Sequence, residues 1–132
     1  MKNSLKSIAF WTSILTGLGL LFIGGHFFAL PEPATTAFGI HVPTHGDYSF
    51  QYIKGIRDIF TGGIILALLL GKEYRALGIA FLLGSMIPIV DFSIVLSHPD
   101  FETARLYPHL SAVLICMPLG IYYFRTGRKL PL

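Results

Sequence analysis

The chemistry that this sequence offers is carried by a few ionisable side chains that lie within otherwise apolar stretches. A carboxylate in a low-dielectric pocket can take a proton from a bound molecule, and a nearby arginine can stabilise the anion that develops. Acid–base chemistry on a lipophilic small molecule is therefore the first expectation. The predicted catalytic residues are Asp91, Asp58, Arg57 and His109, and the predicted substrate-binding residues are His26 and Lys54.

The composition indicates that these side chains work in lipid. Hydrophobic residues make up 53% of the 132 residues and charged residues only 13%, which is typical of a membrane protein. Most basic residues flank apolar runs, where they orient helices, so we expect no nucleic-acid partner. The single cysteine, Cys116, excludes an intramolecular disulfide and a Cys-x-x-Cys redox pair. We expect a multi-pass protein of the cell membrane, with membrane lipids as its partners.

Four apolar stretches each approach the ~20 residues that cross a hydrocarbon layer of ~30 Å. Pro31 and Pro33 are predicted to end the first helix, because proline cannot donate the next backbone hydrogen bond. The short turn at Lys72 makes the second and third helices antiparallel neighbours. The predicted fold class is all-α, a membrane-embedded four-helix bundle forming a single transmembrane domain over 1–132. Its helices are predicted over about 7–30, 51–71, 75–97 and 107–124, with an outer loop over 31–50.

The uneven distribution of basic residues predicts how the bundle crosses the membrane. The loops 31–50 and 98–106 hold one basic residue, Arg105, whereas seven lie on the opposite flanks. Because basic residues resist translocation, both termini are predicted to be cytoplasmic. The seven residues are Lys2, Lys6, Lys72, Arg75, Arg125, Arg128 and Lys129.

The predicted helices bring the ionisable residues to a common depth in the outer half of the membrane. At about 1.5 Å per residue, Arg57 and Asp58 lie roughly 10 Å below the outer end of the second helix, and Asp91 lies at a similar depth in the third. Pro88 is expected to bend the third helix near Asp91 and to open space for a ligand or water. The outer loop is expected to fold over the mouth of this layer.

Each site residue also has a structural alternative. A salt-bridge network between the second and third helices explains Arg57, Asp58 and Asp91 about as well as a substrate site does, because intramembrane charges also hold helices together. The other three residues lie nearer the outer surface, where a side chain facing water is the alternative. Seven glycines are expected to form packing surfaces: Gly17, Gly19, Gly24, Gly25, Gly62, Gly63 and Gly84.

A motif on the predicted second helix resembles the DoxX-like group of small four-helix membrane proteins. It reads Gly55-Ile56-Arg57-Asp58-Ile59-Phe60-Thr61-Gly62 and follows Phe38-Gly39-Ile40. The chain is similar in particular to an uncharacterised family of that group with Gly-x-Arg-Asp on its second helix and an acid late in its third, matched by Asp91. The resemblance implies a four-helix bundle and prescribes no reaction. Anthrone oxygenases, which act on lipophilic aromatic substrates, are somewhat similar, and none of their functional residues is carried over.

Three functions stay open at this point. The first is an intramembrane enzyme or binding protein for a lipophilic small molecule, with Asp58 or Asp91 as general base; isomerisation, cyclisation or cofactor-free oxygenation would fit. The second is a proton-coupled transporter, although alternating access favours a site at the midplane. The third is an accessory membrane subunit, and association into a homo-oligomer is left open. No cofactor and no metal are expected, because two interfacial histidines are weak grounds for either.

Overall fold

The computed structural model describes residues 2–41 and 43–127, except for the side chain of Lys2. Arg128 and Lys129, two of the seven basic residues that predict the orientation, lie outside these ranges. The described residues form helices and connecting turns, without a strand. The helices are α1 (Lys2–Ala29), α2 (Pro31–Phe38), α3 (Ser49–Leu70), α4 (Tyr74–Gly84), α5 (Met86–Ser97) and α6 (Thr103–Thr126).

Three helices in the described part of the chain are long and apolar enough to cross a membrane. They are Asn3–Ala29, Tyr74–Ser97, which comprises α4 and α5, and Thr103–Thr126. Their lengths suit a hydrocarbon layer of ~30 Å at ~1.5 Å per residue. The chain is therefore all-α and is a membrane protein. The helix α3 is long enough but carries three charged residues, Lys54, Arg57 and Asp58.

Small residues let α1 and α3 approach each other closely. A Cβ atom added at Gly24 would lie 2.5 Å from the backbone oxygen of Gly55, and one at Gly62 would lie 2.6 Å from that of Gly17. The two glycine pairs occur in reverse order along the two helices, which makes α1 and α3 antiparallel. This is the close backbone packing typical of membrane helices. The prediction of packing surfaces is wrong for four glycines, where an added Cβ would meet nothing within 4 Å: Gly19, Gly25, Gly63 and Gly84.

The helix over Tyr74–Ser97 is interrupted at Ser85, which separates α4 from α5. Pro88 follows three residues later; it has no N–H to donate to the carbonyl of Gly84, and its ring crowds that carbonyl. The N–H of Ile89 still donates to the carbonyl of Ser85 at 3.3 Å, so the helical path resumes at once. The proline thus disturbs the helix one turn before its own position rather than beside Asp91.

The helix α6 packs on α4 and α5 and contacts α1 at only a few positions. A hydrogen bond links α1 to α6, donated by the Ser13 hydroxyl to the Tyr123 hydroxyl oxygen at 3.3 Å. This contact belongs to a core in the half of the molecule that holds the Lys72 turn. The core is formed by Ala9, Ile65, Leu69, Leu77, Phe81, Leu119 and Tyr123. The opposite half contains the ion pairs between α3 and α5.

The predicted outer loop over 31–50 contains a helix, α2, which corrects that prediction for its first half. Pro31 and Pro33 occupy the first turn of α2, where the missing N–H of proline would have had no helical partner. The same prolines therefore end α1 and begin α2. Gly39 ends α2 with a φ of 106°, a left-handed conformation that glycine adopts without steric cost. The helices α1 and α6 also begin about one turn earlier than predicted.

Candidate functional site

Four charged side chains from α3 and α5 meet in one cluster. The Lys54 ammonium lies 2.7 Å from Asp58 Oδ2, one helical turn away, and 3.9 Å from Asp91 Oδ2. A guanidinium nitrogen of Arg57 lies 3.4 Å from Asp91 Oδ2, and its Nε lies 3.9 Å from Asp58 Oδ1. The cluster therefore holds two basic and two acidic groups. We name these residues, Lys54, Arg57, Asp58 and Asp91, the charged cluster.

The two acids of the charged cluster are held differently. Asp58 is 4% exposed and Asp91 is 8% exposed. Asp58 accepts a short hydrogen bond from Lys54 at 2.7 Å. Among the described residues, Arg57 alone donates a hydrogen bond to Asp91, over 3.4 Å, which is longer than an ordinary N–H···O bond. Asp91 is therefore the less engaged carboxylate.

Two aromatic rings enclose the Lys54 ammonium, an environment that sequence reasoning missed. Its Nζ lies 5.1 Å from the ring centroid of Phe27 and 5.0 Å from that of Phe38. Both distances fall within the range of a cation–π attraction. Lys54 is predicted to bind substrate, with a side chain facing water as the alternative, and in the structure Asp58 and the two rings hold its ammonium inside. The spacing of Lys54 and Asp58, four residues apart on one helix face, was the available signal for this pair.

His109 joins the site through the end of α2. Its Nε2 lies 2.9 Å from the carbonyl oxygen of Phe38. A carbonyl only accepts hydrogen bonds, so Nε2 carries the hydrogen and donates it. In the neutral ring, Nδ1 is then an unprotonated acceptor. The ring of Phe38 also meets the His109 ring edge-on, with centroids 4.7 Å apart.

Two further contacts fix α2 over this end of the molecule. A Cβ atom added at Gly39 would lie 2.7 Å from Cβ of Arg105 and 3.0 Å from Val95, so the end of α2 sits tightly on α5 and α6. The Tyr48 hydroxyl donates to a carboxylate oxygen of Glu32 at 2.7 Å. The carboxylate disfavours the phenolate and raises the pKa of Tyr48. The covering predicted for this end of the bundle is thus formed largely by α2.

A cavity of about 630 Å³ lies between the helices, directly beside the charged cluster. Its size is typical of sites for drug-sized ligands. Lys54, Asp58 and Asp91 line it, together with His109 and His26. Its apolar walls come mainly from Leu15, Leu20, Phe22, Ile23, Phe27, Phe38, Ile65, Phe81, Ile87, Ile115 and Cys116. Arg57 does not line the cavity and reaches it only through the two acids.

The polar groups of this cavity are concentrated at one end. Three hydroxyls also line it, but each donates to a carbonyl of its own helix: Thr16 to Thr12, Thr61 to Arg57 and Ser111 to Pro108. Their hydrogens are therefore already used. The remaining polar lining is formed by Lys54, Asp58, Asp91 and the two histidines. The cavity thus offers one ionisable end and a long apolar remainder.

A family described as Domain of unknown function (DUF4267) matches residues 17–123. The chain belongs to this family. No curated protein and no solved structure matches the chain. The matched range contains all six predicted site residues and every residue named above as lining the cavity except Leu15 and Thr16. The site therefore lies almost entirely within the matched range.

Four of the six predicted site residues meet in the charged cluster of this DUF4267 domain. His109 joins them only through Phe38, and His26 lies apart. His26 lines the cavity and stacks on Phe22, with centroids 6.1 Å apart, but it makes no ion pair with the charged cluster. Among the described residues, no group of three His, Cys, Asp or Glu side chains is placed to hold a metal ion. The arrangement can bind a molecule with an apolar body and can exchange a proton or a hydrogen bond at one end.

Proposed function

We propose that this DUF4267 protein binds a lipophilic small molecule inside the membrane and acts on it by acid–base chemistry. The observation that supports the proposal best is the cavity of about 630 Å³, whose walls are apolar and whose ionisable groups lie at one end. A protein scaffold held together by ion pairs has no need of such space beside its charges. An apolar pocket with a few convergent polar groups is instead typical of a ligand site.

The proposed roles follow from how tightly each group is held. Asp91 is the general base, because it has only long contacts to Arg57 and Lys54, at 3.4 and 3.9 Å. Asp58 positions the Lys54 ammonium, which, with Arg57, stabilises an anion that develops on the ligand. His109, anchored by Nε2, accepts or returns a proton at Nδ1. His26 contacts the ligand further from the charged cluster.

We further propose that α3 is a fourth membrane crossing. Its charges form ion pairs in the interior, whereas Ile53, Ile56 and Phe60 on its outer side are 61%, 55% and 65% exposed. An apolar outer face with paired charges inside suits a helix that faces lipid. Four crossings place both termini on one side, and the basic flanks make that side cytoplasmic. The charged cluster then lies in the outer half of the cell membrane.

The other functions are less well supported. A transporter needs access from both sides, but the half of the molecule around Leu69, Leu77 and Phe81 is tightly packed, with these residues at most 1% exposed. A charged surface for docking a partner subunit is not matched by Asp58 and Asp91, which face inward. The kinship with DoxX-like proteins stays a prediction.

Two glycine substitutions on α1 test whether the cavity binds a molecule. Gly19 lines the cavity, whereas Gly25 does not, and an added Cβ would meet nothing within 4 Å at either position. Gly19→Leu should therefore place a side chain in the cavity without a clash at its Cβ, and Gly25→Leu is its matched control in the same helix. We expect a lipophilic compound to co-purify with the wild type and Gly25→Leu but not with Gly19→Leu, as measured by mass spectrometry of solvent extracts. Identical extracts from all three proteins would contradict the proposal.

A further inference from the structure

The edge between α1 and α6 is open in the half of the molecule that holds the cavity. The two helices are linked by Ser13 and Tyr123 in the opposite half. Beside the cavity, by contrast, lining residues from both helices are also exposed: Leu15 is 69%, Phe22 is 74% and Ile115 is 38% exposed. Residues that both line a cavity and face outward form its rim. This rim lies between α1 and α6 on the outside of the helix bundle, where the protein faces lipid.

The charge balance of the site bears on the charge of its ligand. Lys54 and Arg57 offset Asp58 and Asp91, so the charged cluster is formally neutral. A charged ligand would add an uncompensated charge next to apolar walls, which is costly at low dielectric. A neutral ligand adds none. The balance therefore favours a neutral molecule.

The state of Asp91 bears on the polar group of the ligand. A carboxylate has about four acceptor positions, and among the described residues Asp91 receives one long hydrogen bond, on Oδ2. It borders the cavity, so its free acceptor positions are available to a hydrogen-bond donor there. A hydroxyl group donates while remaining neutral. An ether of the same shape has no hydrogen to donate.

We infer that the ligand is a neutral amphiphile with a hydroxyl head, which enters from the lipid phase between α1 and α6 and donates a hydrogen bond to Asp91. This inference rests on the proposed function and adds the class of ligand and its route. The apolar body lies along the cavity, and a tail longer than the cavity extends through the rim into lipid. The rim is formed by Leu15, Phe22 and Ile115.

Binding of matched alkyl aromatics to the protein in lipid nanodiscs tests the class of ligand. The probes are para-nonylphenol, its methyl ether para-nonylanisole, the anion para-nonylbenzoate and the cation para-nonylbenzylamine, with affinities expressed per mole of lipid. The phenol should bind about tenfold more tightly than the ether, the difference between a charge-assisted hydrogen bond and none. Both charged probes should bind more weakly than the phenol. Asp91→Asn should reduce the preference for phenol over ether to less than about threefold.

Each contrary outcome points to a different failure. If the wild type binds phenol and ether equally and Gly19→Leu removes the binding of both, the cavity is a site but the inferred hydroxyl head is wrong. If a charged probe binds most tightly, the neutral class is wrong. If no probe binds, or if the wild type, Gly19→Leu and Gly25→Leu all bind the probes equally, the proposed function itself fails.

The length of the alkyl tail tests the route. Lateral entry predicts that para-dodecylphenol binds at least as tightly per mole of lipid as para-nonylphenol, because the extra methylenes lie outside the cavity. A cavity closed toward lipid would have to accommodate those methylenes, and overpacking is destabilising. A loss of affinity of about tenfold on lengthening the tail would therefore contradict entry between α1 and α6.

Discussion

The pairing of Arg57 with Asp91 gives the sharpest prediction about the charged cluster. Asp91→Asn leaves Lys54, Arg57 and Asp58, with one uncompensated positive charge beside the cavity. Arg57→Gln together with Asp91→Asn leaves the short Lys54–Asp58 pair, which is neutral. We therefore expect the double variant to be more stable than Asp91→Asn alone. A lone charge in an apolar site is worse than no charge.

The size of this coupling follows from distance and exposure. At an effective dielectric constant of about 20, two unit charges 3.4 Å apart attract by roughly 5 kcal/mol. This is an upper bound, because the Arg57 side chain is 41% exposed and solvent screens the pair, although the Asp91 side chain is only 12% exposed. Exposed pairs contribute about 0.2 to 1 kcal/mol, and one-sided loss of a buried pair costs about 3 to 5 kcal/mol. We expect a coupling free energy of about 2 kcal/mol.

A double-mutant cycle measured by reversible unfolding in mixed detergent micelles provides the assay. The matched control is the pair Glu102–Arg105, whose nitrogen and oxygen are 3.3 Å apart, but whose side chains are 58% and 36% exposed. Its cycle should give less than about 1 kcal/mol, although the distance is almost the same. The losses in the free energy of unfolding caused by Arg57→Gln and by Asp91→Asn are added and compared with the loss in the double variant. If the two agree within about 0.5 kcal/mol, the two residues are not coupled and the prediction is wrong.

Two further predictions concern topology and helix packing. A cysteine placed at Lys72 should be labelled by a membrane-impermeant reagent only after the cells are opened, and one at Asp47 should be labelled in intact cells; the reverse pattern would overturn the proposed orientation. Gly24→Leu should destabilise the protein by about 2 kcal/mol or more, because its Cβ would meet the backbone of α3. At Gly63 an added Cβ would meet nothing within 4 Å, so Gly63→Leu should have little effect on thermal unfolding in detergent. Equal losses of stability in the two variants would contradict the packing described for α1 and α3.

The parts of the fold that depend on local sequence were accessible to prediction. Apolar length identified the membrane-capable helices, and Pro88 predicted a disturbance in the third predicted helix. Pro31 and Pro33 were read only as a stop, although proline is equally favourable in a first helical turn, so α2 was missed. Its last residues cap the site, so a covering at this end of the bundle could be predicted but its helical form could not.

The parts of the fold and the site that depend on contacts between residues far apart in the sequence could not be predicted. The approach of the Phe38 carbonyl to His109 joins residues 71 positions apart, and no local pattern encodes it. The same holds for the two rings around Lys54. Glycines that look alike in sequence also behave differently: Gly17 packs against α3, whereas Gly19, two residues later, borders the cavity. A helix rotates by about 100° per residue, and only the packed structure shows which face meets a neighbour.

An experimental structure of the protein in a lipid bilayer would test the central claim most directly. We expect an elongated density in the cavity, with a polar atom within about 3 Å of an Asp91 carboxylate oxygen and its apolar end directed toward the edge between α1 and α6. A cavity closed by its own side chains, with Asp91 fully hydrogen-bonded to protein groups and no bound molecule, would contradict it. The charged cluster would then serve to hold the helices together.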